Sequence, residues 1–295
     1  MAAGLLLAML VATPALADVT TPILSGLSWR SGTSGDPKCL VALRGRPVDA
    51  GTLFLGHASF PALVKQTSGL RPAKGRPPLL VVSLPLLPDT NKGQFAQCAA
   101  GSFDGSFAQI GANLQKAGAQ GTVVRLGWEA NIGSDSHPWG VDTPDQVPAY
   151  VACWRHAALA LKAGGPALNT EWTSAKKTAN KALHVLDMYP GDDVVDIVGA
   201  HYYDSGPEKS AQAVWDQYYK ATYNGGPWGI GAWLDFARSR GKRLGIGEWA
   251  VWAVPDNKKP DDPVYIDNMY RFFKANAGSI AYETYFNTRA GQFCT

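Results

Sequence analysis

The chain has 295 residues, of which 46% are hydrophobic and only 17% charged, which excludes a disordered or solvating sequence and supplies a large buried core. Its 27 basic and 24 acidic residues give a formal net charge of +3. The basic residues are scattered in pairs no longer than Lys176-Lys177 and Lys258-Lys259, so no electrostatic footprint for nucleic acid exists.

Residues 2–17 (AAGLLLAMLVATPALA) form an uncharged apolar run that Pro14 interrupts and Ala-Leu-Ala ends. The run is shorter than the roughly 20 residues that span a bilayer, so it predicts a secretory signal removed after Ala17 and no membrane anchor in the mature protein. One domain over 18–295 is expected, secreted or periplasmic and monomeric. Cys39, Cys98, Cys153 and Cys294 lack C-x-x-C spacing and neighbouring histidines, which argues against zinc. Export favours disulfides: Cys39 with Cys98 is the expected pair, and Cys153 either joins Cys294 or stays a buried thiol in an apolar helix pattern.

Eight strand-like runs follow in order, at 25–32, 51–58, 78–85, 122–129, 167–174, 195–203, 243–251 and 279–287. Between them, 107–118, 149–164, 229–242 and 264–278 carry apolar residues at helical spacing. Alternating strands and helices predict a parallel sheet, and eight units close most naturally into a single (β/α)₈ TIM barrel. An open doubly wound sheet would carry a Gly-rich phosphate loop after an early strand, and none occurs.

Catalytic groups in such a barrel sit at the C-terminal ends of strands. Glu129 closes the fourth run, TVVRLGWE, and Glu248 lies near the end of the seventh, RLGIGEW. A carboxylate after an apolar strand is expensive to desolvate and calls for a partner or a task. A period of two puts Arg125 and Glu129 on one face of the fourth run, and Gly199, His201 and Tyr203 on one face of the sixth, bringing the phenol toward Glu248. Two carboxylates across a pocket suit glycoside hydrolysis, one as acid and one as nucleophile, and these strand positions predict the retaining separation of roughly 5–5.5 Å. The nucleophile's charge is then expected to raise the acid's pKa and keep it protonated.

Three segments, RLGWEANIGSDSHPWG (125–140), YPGDDVVDIVGAHYYD (189–204) and GKRLGIGEWAVW (241–252), resemble clan A glycoside hydrolases and most closely family 26, the β-mannanases. The resemblance spans roughly 120 to 290. It implies Glu129 as acid/base, Glu248 as nucleophile, Arg125 and Asn131 as the arginine and asparagine of the first motif, and Tyr203 as the tyrosine beside the nucleophile. Trp128 replaces the family's histidine before the acid/base and His201 replaces the aspartate of Gly-x-Asp-x-Tyr, departures that bear on mannan specificity.

Trp139, Trp172, Trp249 and Trp252 fall at or just after strand ends and are candidate sugar platforms around an open, endo-acting cleft, whereas Trp154 and Trp233 read as core. Glu283, between Tyr282 and Tyr285, is the third carboxylate, a substrate or structural ligand. Asp192-Asp193 and Asp261-Asp262 read as solvated turns or caps, and His137, beside Pro138 and Trp139, sits in the loop after the fourth run, which overhangs the cleft, so it either reaches the cleft or, as is commoner for a lone loop histidine, is exposed. No HExxH or carboxylate cage suggests a metal, and no cofactor is expected. The expected activity is that of a secreted retaining endo-glycosidase on a β-linked polysaccharide such as β-mannan. A bacterial exopolysaccharide or β-glucan is the alternative substrate, and a non-catalytic carbohydrate-binding barrel is the rival from another class.

Overall fold

A computed structural model describes Val19 and residues 21–71, 76–117, 121–204, 211–251 and 261–287, except the side chain of Cys39. The expected signal segment, Cys294 and Trp252 lie outside the described residues. The elements in chain order are β1 (Ser31–Thr33), α1 (Pro37–Arg44), β2 (Ala50–Phe54), α2 (Phe60–Ser68), β3 (Leu79–Leu84), α3 (Phe95–Ala99), α4 (Asp104–Lys116), β4 (Val123–Leu126), α5 (Val147–Gly164), β5 (Asn169–Ser174), β6 (Ile197–Asp204), α6 (Gln212–Tyr218), β7 (Thr222–Tyr223), β8 (Gly226–Pro227), α7 (Ile230–Ser239), β9 (Arg243–Val251), α8 (Pro263–Ala275) and β10 (Ile280–Tyr285).

Strands β1 to β6, then β9 and β10, pair in parallel each with the next, and β10 closes on β1, forming the expected eight-stranded barrel. The antiparallel β7–β8 hairpin and α6 are an excursion in the connection after β6. Helices begin where side chains satisfy free backbone amides: Asp36, Ser59 and Asp262 cap α1, α2 and α8, and each of these helices opens with proline in its first turn. The 261–262 pair thus supplies a cap, as expected. Among the described residues no helix is long and apolar enough to cross a membrane.

The first expected strand, 25–32, contracts to three residues. The Asp49 carboxylate accepts hydrogen bonds from the backbone of Ser25 and Ser31 and from the Ser25 hydroxyl, which wraps the preceding segment around that buried carboxylate. Leu79, Val81, Val123, Ile197, Ala281 and Tyr282 pack together in one cluster, and a larger one, including Trp154 and Trp233, binds the strands to the helices.

The disulfide expectation needs correction. Cys98 pairs with Cys153, not Cys39, tying α3 to α5 across 55 residues with Cα atoms 4.8 Å apart. Both half-cystines are buried where these two helices pack, so adjacency of helices decides the pairing.

Candidate active site

Glu129 does not reach the mouth by strand alternation. Strand β4 ends at Leu126; Gly127 and Glu129 then adopt positive φ of 56° and 54°, and the Glu129 amide donates to the Thr173 carbonyl of β5 at 3.0 Å. Gly127 is required on two counts, since a Cβ there would also lie 2.7 Å from the Leu86 Cβ. A left-handed glutamate costs on the order of 1–3 kcal/mol, and such conformations concentrate at functional sites.

Glu248 is aimed by a bulge. In β6, Gly199 pairs with Gly245 and His201 with Glu248, so two residues of β6 oppose three of β9, and the same offset recurs between Glu283 and Tyr285 of β10. The extra residue turns Glu248 into the barrel and leaves Trp249 facing α8.

Arg125, fully buried, joins the two halves of the site. Its Nη2 donates to Glu248 Oε1 at 2.6 Å and to His201 Nε2 at 2.5 Å, and its Nη1 to the Gly247 carbonyl at 3.2 Å. Tyr203 Oη donates to Glu248 Oε2 at 2.6 Å, as the spacing predicts. His201 Nδ1 lies 2.7 Å from Glu129 Oε1, while its Nε2 is 3.5 Å from Glu248 Oε1, so one imidazole ring separates the two carboxylates.

His137 also reaches the site. Its Nε2 lies 3.5 Å from Glu129 Oε2, and its ring stacks on Trp139 at 4.7 Å, so of the two expected positions it takes the one in the cleft and not the exposed one. Burial pushes the Glu129 carboxyl up, but its two histidine neighbours, His201 foremost and then His137, outweigh it and hold the carboxyl well below the usual range. This reverses the expectation that Glu248 keeps Glu129 protonated. Desolvation acts against the Arg125 charge, and Glu248, Tyr282 and Glu171 together more than offset it. Burial drives Tyr203 well above the ordinary phenol range, with Glu248 adding to it.

The tryptophan platforms are corrected. Trp172 is 2% exposed and packs against Tyr189 and Trp233, because Glu171 and Thr173, its neighbours on β5, take the inward positions. Trp249 packs against Tyr265 and Phe273 of α8 and donates its indole N–H to Glu283 Oε2 at 2.6 Å. Glu283 therefore serves as a structural ligand joining β10 to β9 and to the segment before β1; burial raises its pKa, and its other oxygen accepts from Trp29. Trp139 is buried, with its indole N–H on the Trp128 carbonyl. Asn131 uses its amide on Ala175 and Lys177, tying the loop after β4 to the loop after β5.

The aromatic side chains near Arg125 and Tyr203 are instead Phe54, Trp128 and Phe286. Phe54 meets Trp128 and Phe286 edge-on at 5.9 and 6.3 Å and lies 5.6 Å from the Arg125 guanidinium, while Phe286 meets Tyr203 at 5.8 Å. Phe54 and Phe286 were missed; each sits at or just after the end of its strand, a signal that tryptophan counting passes over.

Glu171 was also missed. It is wholly buried and accepts from Thr173 at 2.5 Å and from Tyr282 at 2.7 Å, and burial raises its pKa. Gly199 and Gly245 make its room, since a Cβ at either would come within 2.4 or 2.5 Å of a carboxylate oxygen. Among the described residues no cluster of three or more His, Cys, Asp or Glu has the arrangement to hold a metal ion.

No protein-family profile matches the chain, and no curated protein matches it. Solved structures do. The backbone is similar to GH26C from a Muricauda species, with TM-score 0.57 and 13% identity over 90% of this chain and 80% of that one. It is similar to a modular endo-β-1,4-mannanase from Cellulomonas fimi, with TM-score 0.58 and 17% identity over 86% and 61%. A fungal β-1,4-galactanase gives TM-score 0.54 and 12% identity over 88% and 89%. At these identities the likeness is one of fold, and that fold is the barrel which the resemblance to family 26 implies.

Proposed function

We propose that the chain is a retaining glycoside hydrolase acting within β-linked polysaccharide chains, with Glu129 as acid/base and Glu248 as nucleophile. The observation that carries this reading is the placement of two carboxylates on opposite nitrogens of one buried histidine, with Glu248 gripped by Arg125 and Tyr203. Two donors on Glu248 orient an anion toward an anomeric carbon. The aromatic wall of Phe54, Trp128 and Phe286 suits the C–H face of a pyranose ring.

In the first step the Glu248 carboxylate attacks C1, and Glu129, once it has taken up a proton onto the carboxylate that its histidine neighbours favour, gives that proton to the departing glycosidic oxygen as the C1–O bond breaks. In the second, water attacks C1, Glu129 takes its proton, and the ester to Glu248 is released. Tyr203 and Arg125 keep their hydrogen bonds to Glu248 and weaken its hold on C1 as the ester breaks. A β-1,4-mannan is the favoured substrate, since the Cellulomonas fimi neighbour is an endo-mannanase; the galactanase neighbour makes other β-1,4-glycans the next to assay. Secretion under the N-terminal signal belongs to the same reading.

The deciding experiment is azide rescue. Glu248→Ala should lose turnover of an activated aryl glycoside, and azide should restore it as the α-glycosyl azide, of inverted configuration. Retained configuration on rescue, or persistent activity without azide, would reject Glu248 as nucleophile. Glu129→Ala should spare glycosylation by a good leaving group and slow it for an oligosaccharide, and early products from mannan should span several lengths.

A further inference from the structure

His137 is not one of the expected site residues, yet its position is well defined. It stacks on Trp139 with 11° between ring planes, and Trp139 is itself anchored to the Trp128 carbonyl at 2.8 Å. The buried His137 Nε2 has no hydrogen-bond partner among the described residues and faces Glu129 Oε2 at 3.5 Å.

The other side of Glu129 is chemically closed. Arginine can only donate, so His201 Nε2 must accept from Arg125, and the remaining ring hydrogen sits on Nδ1, where it is donated to Glu129 Oε1. In that tautomer His201 is a neutral imidazole and has no proton to spare for the carboxylate. The proton that an acid catalyst must deliver is therefore accommodated at Oε2, the oxygen that faces His137.

We propose that His137 is a positioning residue for Glu129 that shares with it the proton destined for the leaving-group oxygen. This rests on the reading of Glu129 as acid/base. As the proton passes, the N–H bond at Nε2 breaks and an O–H bond at Oε2 forms, leaving a neutral imidazole and a carboxylic acid. The acid then protonates the leaving oxygen, and the attacking water later returns a proton to the same carboxylate. The titratable and charged groups around the pair are His201 and Tyr203 of β6, both neutral in this hydrogen-bond arrangement, with Arg125 of β4 and Glu248 of β9. Trp139 also meets His57, after β2, edge-on at 6.5 Å, and His57 is paired with Asp89 after β3. Lys92 holds the Ser134 carbonyl of the His137 loop.

Coupled groups titrate as a pair, and a carboxylate beside an imidazole retains one shared proton to a higher pH than a carboxyl alone. The basic limb of the kcat/KM profile should report loss of that proton. The test compares wild type, H137A and H137Q on a β-1,4-manno-oligosaccharide, whose sugar leaving group needs an acid, and on a dinitrophenyl glycoside, which does not. With the oligosaccharide, the basic limb of both variants should move to lower pH by about one unit or more, about a tenfold loss above neutrality. With the dinitrophenyl glycoside, both limbs should stay in place.

An unmoved basic limb on the oligosaccharide in either variant would overturn the proposal, as would an equal movement on both substrates. The H137Q amide keeps a planar group on Trp139, so loss of folding in both variants, read by near-ultraviolet circular dichroism, would reduce His137 to a packing residue and equally overturn it. Failure of the underlying reading looks different: Glu129→Ala would then hydrolyse the oligosaccharide as wild type does.

Discussion

Replacing Arg125 with methionine keeps an unbranched side chain in the barrel but removes every donor at its centre. Glu248 Oε1, His201 Nε2 and the Gly247 carbonyl each lose a hydrogen bond, at 2.6, 2.5 and 3.2 Å. The bond to the carboxylate is worth roughly 1.5–3 kcal/mol and His201 Nε2 about 1 kcal/mol if left dry, while the Gly247 carbonyl keeps the Thr284 hydroxyl as a donor. The total agrees with the roughly 3–5 kcal/mol that follows from breaking one partner out of a buried ion pair. For a domain of this size the melting temperature should fall by roughly 6–20 °C. Arg125→Met, Glu248→Gln and the double variant, followed by urea unfolding, form a cycle that isolates the charge pair. The double variant should be more stable than the sum of the single losses by about 1.5–3 kcal/mol, since neither charge is left alone. Additive losses, or an Arg125→Met variant that melts with wild type, would refute the role assigned to Arg125.

Trp172→Ala should cost about 3–5 kcal/mol of stability through the cavity left between β5 and α7, while KM for an oligosaccharide stays constant; a raised KM would return Trp172 to the cleft. Cys98→Ala should lower stability by about 4 kcal/mol in the chain-entropy treatment of a 55-residue loop, and peptide mapping without reduction should recover Cys98 joined to Cys153. Glu171 has its folded-state pKa raised, so the native state binds more protons than the unfolded chain and stability falls as pH rises above the ordinary carboxyl range. Glu171→Gln should therefore gain on wild type as pH rises from about 4 to 8 in thermal melts. A pH-independent difference would contradict the burial of an acid.

Strand and helix alternation was legible in the chain because each run must hide a continuous apolar stretch, and eight such runs have few ways to do so. Glu129, Glu248 and Tyr203 were legible for the same reason, as polar groups at the ends of strands that otherwise avoid them. The tertiary structure decided what alternation leaves open. A period of two says that Glu171 and Trp172 of β5 face opposite ways, but only closure of the barrel shows that the carboxylate is inside and the indole outside. The bulge in β9 depends on pairing with β6 and β10, which no property of RLGIGEWAV alone reveals, and it determines that Glu248 rather than Trp249 enters the site. The cysteine pairing and the approach of His137 to Glu129 are likewise contacts between segments distant in sequence or turned back by a loop. Residue types and their spacing determine which local structures the chain adopts, whereas these contacts depend on which elements lie side by side after the barrel closes.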